Sequence, residues 1–168
     1  MVTLSDKLEA RVFLDFKIGV ESMANVEYVQ SMSGKLEDVK VGTTLFFTKT
    51  VSESDVYLFA GITGDLSPNH VDAEYMRQGR YGERIAHGAL MVGFMSAASS
   101  RMRIGRTVSL GYDRVRFVAA VRFGDTITTQ YTITEIDLAK KRLYNQVTCT
   151  NQRGEVVASA VHLRSFVD

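Results

Sequence analysis

Asp65 and His70 stand five residues apart in the segment Gly64-Asp65-Leu66-Ser67-Pro68-Asn69-His70, which holds the single proline of the chain. A carboxylate and an imidazole on one loop are two proton-transfer groups, and the imidazole titrates near neutrality. Proline fixes its own backbone angle and restricts the residue before it, here Ser67. A loop stiffened in this way can aim both side chains into one cleft. Partial burial would tune the aspartate upward, toward the histidine. The pair would then hold one water and move its protons. A plainer reading stays open, in which Asp65 caps a turn and His70 packs against the sheet.

Ala86-His87-Gly88 adds a third group, with Gly88 eighteen residues after His70. These residues open an apolar segment that runs to Ala98, and the first backbone N–H groups of a helix have no partner within it. Such donors, reinforced by the helix dipole, favour an anion. Glycine at 88 lets a substrate carbonyl come close to the backbone, so the Gly88 N–H is a candidate oxyanion donor. Tight packing is the alternative reason for a glycine there. His87 reads first as a satisfied near-core histidine, and second as a substrate contact.

Positioning these groups requires a scaffold. Thr43 to Val51 reads as a strand, and Ser52 with Asp55 as the start of a short helix carrying Val56, Phe59, Ala60 and Ile62 on its apolar face. Residues 85–98 are apolar almost all round, which predicts a helix buried on every side. After residue 106 the pattern is strands: Leu110 to Val118, Thr126 to Ile136, Leu143 to Asn151 and Val156 to Phe166, joined by short turns. Short connections predict an antiparallel meander. One apolar helix across one apolar sheet face satisfies both elements, so the expected class is α+β, a curved antiparallel sheet wrapped around one long buried helix. Residues 1–35 read as an extension, with Leu8, Val12, Phe13 and Phe16 on one helical face, and 36–168 as one domain.

Composition narrows the function. Of 168 residues, 20 are basic and 19 acidic, a net charge of +1 that gives no electrostatic case for nucleic acid. No apolar run is long enough to span a membrane and no leader pattern opens the chain, so a cytoplasmic protein without a membrane partner is expected. The lone cysteine, Cys149, shares a strand face with Leu143 and Val147 and reads as core. His70 and His87 lack metal-ligand spacing, so no metal is expected. Arg77 and Arg80 flank a glycine-containing loop and are available to an anion such as a phosphate. A solvated surface role is their alternative.

The segment from Tyr57 to His70, followed by Tyr81-Gly-Glu-Arg-Ile-Ala-His-Gly-Ala-Leu90, resembles the MaoC-like (R)-specific enoyl-CoA hydratases. Val118 to Ile127 looks like the stretch in which that family's sheet continues, so the resemblance covers roughly residues 40–165. It implies a hot-dog fold, a homodimer with joined sheets, and a hydro-lyase. The implied reaction is reversible hydration of trans-2-enoyl-CoA to (R)-3-hydroxyacyl-CoA. The resemblance places the catalytic pair on Asp65 and His70 and the oxyanion donor on Gly88. Ser67, Asn69, His87 and Arg80 are the expected substrate contacts. No cofactor is implied, because CoA is the carrier portion of the acyl-CoA substrate. The family usually has asparagine where this chain has Ser67, and an aliphatic residue where it has Asn69. Alternatives are a hydratase of branched or dicarboxylic acyl-CoA, for which Arg77, Arg80 or Arg114 would meet a carboxylate, a hot-dog thioesterase, or a non-catalytic acyl-binding subunit.

Overall fold

The computed structural model describes residues 38–167 and the backbone of Met32 and Ser33, which pairs in parallel with Met102 and Arg103. The amphipathic reading of Leu8 to Phe16 lies outside the described residues.

Strand β1, Thr44–Thr50, is followed by helix α1, Glu53–Thr63. The expected cap is present: the Ser52 hydroxyl accepts from the Asp55 N–H at 3.2 Å, and Asp55 Oδ2 accepts from the Ser52 N–H at 2.8 Å. Val56 and Ala60, one turn apart, are buried. Ile62 is instead 82% exposed, because six residues beyond Val56 puts it about 120° round the helix from that face. Gly64 ends α1 with φ +78°, a conformation that favours glycine, and its N–H returns to the Ala60 carbonyl at 2.8 Å. The chain therefore leaves α1 in a sharp turn that delivers Asp65. Two short helices follow, α2 at Pro68–Val71 and α3 at Ala73–Arg77, then the long helix α4 at Gly88–Ser100.

Four strands complete the sheet: β2, Thr107–Phe117; β3, Thr126–Asp137; β4, Arg142–Thr150; and β5, Val156–Phe166. All pairings are antiparallel and the order is β1-β3-β4-β5-β2. On the outer face of β1 and β3, threonine hydroxyls pair across the strands, as at Thr44–Thr132 (3.0 Å) and Thr50–Thr126 (2.7 Å). On the inner face Ile127, Tyr131, Ile133, Leu143, Val147 and Cys149 are buried at the expected alternate positions. Burial pushes the Cys149 thiol up to about 11, which makes it inert core. Helix α4 packs on β1, β3 and β4 through Met91, Phe94, Met95 and Ala98. Among the described residues no helix is long and apolar enough to cross a membrane.

Two expectations are corrected here. Helix α4 is not buried on every side: Ala89, Gly93, Ser96 and Ser100 form an exposed stripe, since one sheet face covers only one side of a helix. The meander is confined to β3-β4-β5, and β2 pairs with β5 rather than with β3. Residues 118–125 are a crossover along one end of the sheet. Val118 donates to the Val157 carbonyl, Ala86 donates to Val121, and Gly124 donates to Val51, each at 2.8 Å. The crossover thus passes directly beside the N-terminus of α4.

The inner face also holds a polar knot that the strand pattern did not reveal. His162, fully buried, pairs through Nδ1 with the Tyr131 hydroxyl and through Nε2 with the Ser109 hydroxyl, both at 2.8 Å. Tyr112 stacks on its ring at 4.1 Å, and Arg164 Nη1 donates nearby to the Ser99 carbonyl. Burial, with the Arg164 charge second, pushes the His162 imidazolium from its ordinary 6.5 down to about 4. Between those values the unfolded chain binds a proton that the fold refuses. Stability is therefore complete above 6.5 and falls as pH drops toward 4, by about 3 kcal/mol in all from this group. Urea unfolding between pH 7 and 5 should show the decline, and His162→Gln should flatten it. An equal slope in both proteins would contradict the assignment.

Candidate active site

Asp65 follows the Gly64 turn and is 46% exposed at its side chain. Its Oδ1 accepts from the Ser67 hydroxyl, and from the Ser67 N–H at 3.2 Å. Those two bonds hold its carboxyl below the ordinary carboxylate range, with the His87 and His70 rings adding to the effect. The upward tuning expected from partial burial does not occur, because the carboxylate is open to water and doubly hydrogen-bonded. Asp65 is a stable anion at neutral pH.

His70 lies in α2, started by Pro68 at its first position, and is almost fully buried. Its Nδ1 is 2.8 Å from the Ile85 carbonyl, which can only accept. Nδ1 therefore carries the hydrogen, and Nε2 presents its lone pair. The Asn69 amide nitrogen donates to that lone pair at 3.1 Å.

His87 is the N-cap residue of α4 and is buried behind the pair. Its Nε2–H donates to the Asp65 main-chain carbonyl at 2.9 Å, and its ring stacks on His70 at 3.7 Å. On the other side it meets Phe59 of α1 at 4.8 Å. One buried ring thus joins the Asp65 backbone, the His70 ring and the start of α4. Arg84 ties the same region to α1, donating to the Tyr57 hydroxyl at 2.7 Å and pairing with Glu53.

The fold brings Asp65, His70 and His87 within 4.8 Å of one another by their potential ligand atoms, a proximity the chain spacing did not suggest. The donors still make a poor metal site. His87 Nε2, the nitrogen nearest the Asp65 carboxylate, carries a hydrogen toward the Asp65 carbonyl. The two rings are stacked at 28°, so their in-plane lone pairs do not converge on a tetrahedral centre.

Gly88 is the first residue of α4, where backbone N–H groups lack helical acceptors. A cavity of about 280 Å³ opens against it, walled by Asn69, His70, Met91, Phe117 and Val121 among others. The crossover therefore builds one side of the site, and it was not legible as such in the sequence. The break in alternation after Phe117 is the only signal for it. Asp65 stands outside this wall, beside His70. Ser67 is spent on Asp65, while Asn69 meets His70. Arg80 lies exposed over the Tyr81 ring at 5.9 Å, and Arg77 pairs with Glu74 at 2.6 Å, both outside the wall. Arg114 is exposed in β2 at φ +51° and is likewise outside it.

A Cβ on residue 88 would sit 2.7 Å from the Phe117 ring. Gly88→Ala should push that ring aside and misplace the α4 N-terminus against bound substrate. Activity should fall about 100-fold with the fold intact, and Phe117→Ala in the same chain should recover part of the loss. Steady-state kinetics of the single and double variants check this.

Residues 38–155 match the family described as "MaoC like domain". Over 114 residues the chain is 40% identical to the (R)-specific enoyl-CoA hydratase of Rhodospirillum rubrum, covering 68% of this chain and 79% of that protein. It is 33% identical, over the same share of this chain and 73% of the relative, to the 3-hydroxybutyryl-CoA dehydratase of Methylorubrum extorquens. The unliganded R-hydratase PhaJ1 of Pseudomonas aeruginosa superposes with a TM-score of 0.72 at 31% identity, covering 77% of this chain and 83% of that one.

Proposed function

The chain belongs to the MaoC-like domain family, and on that premise we propose that it catalyses reversible hydration of trans-2-enoyl-CoA to (R)-3-hydroxyacyl-CoA. The observation that carries the reading is one cavity lined by both His70 and the Gly88 start of α4, with the Asp65 carboxylate beside the His70 ring.

Their states divide the work. Asp65 is a weak base with a low proton affinity, so it orients the water as an anion. Imidazole is ordinarily the stronger base. His70 Nε2 takes a proton from the water as its oxygen bonds to C3. The C2–C3 π electrons move to the thioester oxygen, where the Gly88 N–H and the α4 dipole stabilise the enolate. The imidazolium then returns a proton to C2. One water has been added across the double bond and the enzyme is unchanged. These steps use only the chain's own groups, and CoA enters as part of the substrate.

The site is proposed to work in a homodimer. β2 is an edge strand with Val108, Leu110 and Phe117 exposed, apolar surface that a second copy's β2 would cover. A cytoplasmic location accords with a buried, unpaired Cys149.

Loss of the enoyl-thioester absorbance on adding crotonyl-CoA or longer homologues tests the reading. A thiol reagent run in parallel reports any free CoA. Hydration without thiol release is the expected result, and thiol release without hydration would overturn it in favour of a thioesterase.

A further inference from the structure

We propose that Asn69 is a positioning residue for His70, its amide pairing with the imidazole in both protonation states so that the ring takes up and returns a proton without turning. The inference rests on His70 as the proton carrier of the reaction above.

Ile85 fixes the geometry from two sides. Its carbonyl accepts from His70 Nδ1 at 2.8 Å, and its N–H donates to the Asn69 main-chain carbonyl at 3.1 Å. The ring and residue 69 are therefore bracketed by one residue across the loop. In the neutral ring Nε2 is an acceptor, and Asn69 supplies the N–H at 3.1 Å. Once Nε2 gains a proton it needs an acceptor instead. An amide turned by 180° offers its oxygen in nearly the same place, and that bond is charge-assisted. The other groups facing the ring cannot do this. His87 stacks on it face to face at 3.7 Å, and Asp65 is turned to its Ser67 donors while its carboxylate stays within 4.8 Å. An aliphatic residue at 69 would offer neither bond. Because Asn69 also lines the cavity, its amide is poised to exchange His70 for the incoming water.

The sign of its effect follows. Asn69→Leu removes the acceptor of the charged ring and dries the site, so the imidazolium loses more than the neutral ring. Protonation of His70 should move to lower pH by about one unit. Asn69→Asp places a carboxylate there and should move it up by about one unit or more. The measurement is the ring-proton NMR titration of the full chain, with His70 assigned by its absence from His70→Gln, alongside the low-pH limb of kcat/KM with crotonyl-CoA. Opposite shifts in the two variants, matched by the limb, are expected. A titration that moves by less than about 0.2 unit in both variants overturns the proposal. A titration that shifts while the limb stays fixed supports the pairing and instead contradicts His70 as the rate-governing proton carrier.

Discussion

Asp65→Asn should lower kcat/KM for enoyl-CoA hydration by about 1000-fold, within the range that a positioned proton-transfer group supplies. The amide is the same size but is neutral, and it presents N–H donors where the water needs an anionic acceptor. It also faces the Ser67 hydroxyl and N–H, both of which are donors to Oδ1 in the native loop. The side chain is 46% exposed, so the fold should tolerate the change, with unfolding free energy altered by no more than about 1 kcal/mol. Turnover and urea unfolding on one preparation separate the two effects. Activity within tenfold of wild type would remove Asp65 from the chemistry.

His70→Gln should cost about as much, for a different reason. Glutamine can still donate to the Ile85 carbonyl, so the 2.8 Å tie that positions the native ring has a substitute. It has no basic lone pair, so nothing takes the proton from water. In the proposed reaction Asp65 and His70 act on the same water, so the double variant should be little worse than either single one. A double variant whose loss is the product of the two single losses would mean that the residues serve separate steps.

The parts of the site that were legible in the sequence are those set by local chemistry. Gly64 ends a helix, Pro68 starts another, and between them the chain must turn, which places Asp65 and His70 together. His87-Gly88 marks the α4 start because the apolar run begins there. What was not legible depends on chain segments meeting from afar. Residues 118–125 look like a hairpin connection, yet hydrogen bonds to Val157, Ala86 and Val51 draw them across the sheet end, and the cavity wall comes with them. The low proton affinity of Asp65 depends on how Ser67 folds back onto it, whereas the sequence supports only the general tendency of burial to raise a carboxyl. Nothing within the strand Val156 to Phe166 marks His162, because its partners Tyr131 and Ser109 come from other strands.

The proposed reaction is a stereospecific hydration carried by Asp65 and His70 against the Gly88 amide. Its most direct test is chiral analysis of the product formed from crotonyl-CoA by the wild-type chain and by Asp65→Asn under equal conditions. The wild type should give (R)-3-hydroxybutyryl-CoA, and the variant about 1000-fold less of it. The (S) product, or free CoA with no hydroxyacyl product, would contradict it.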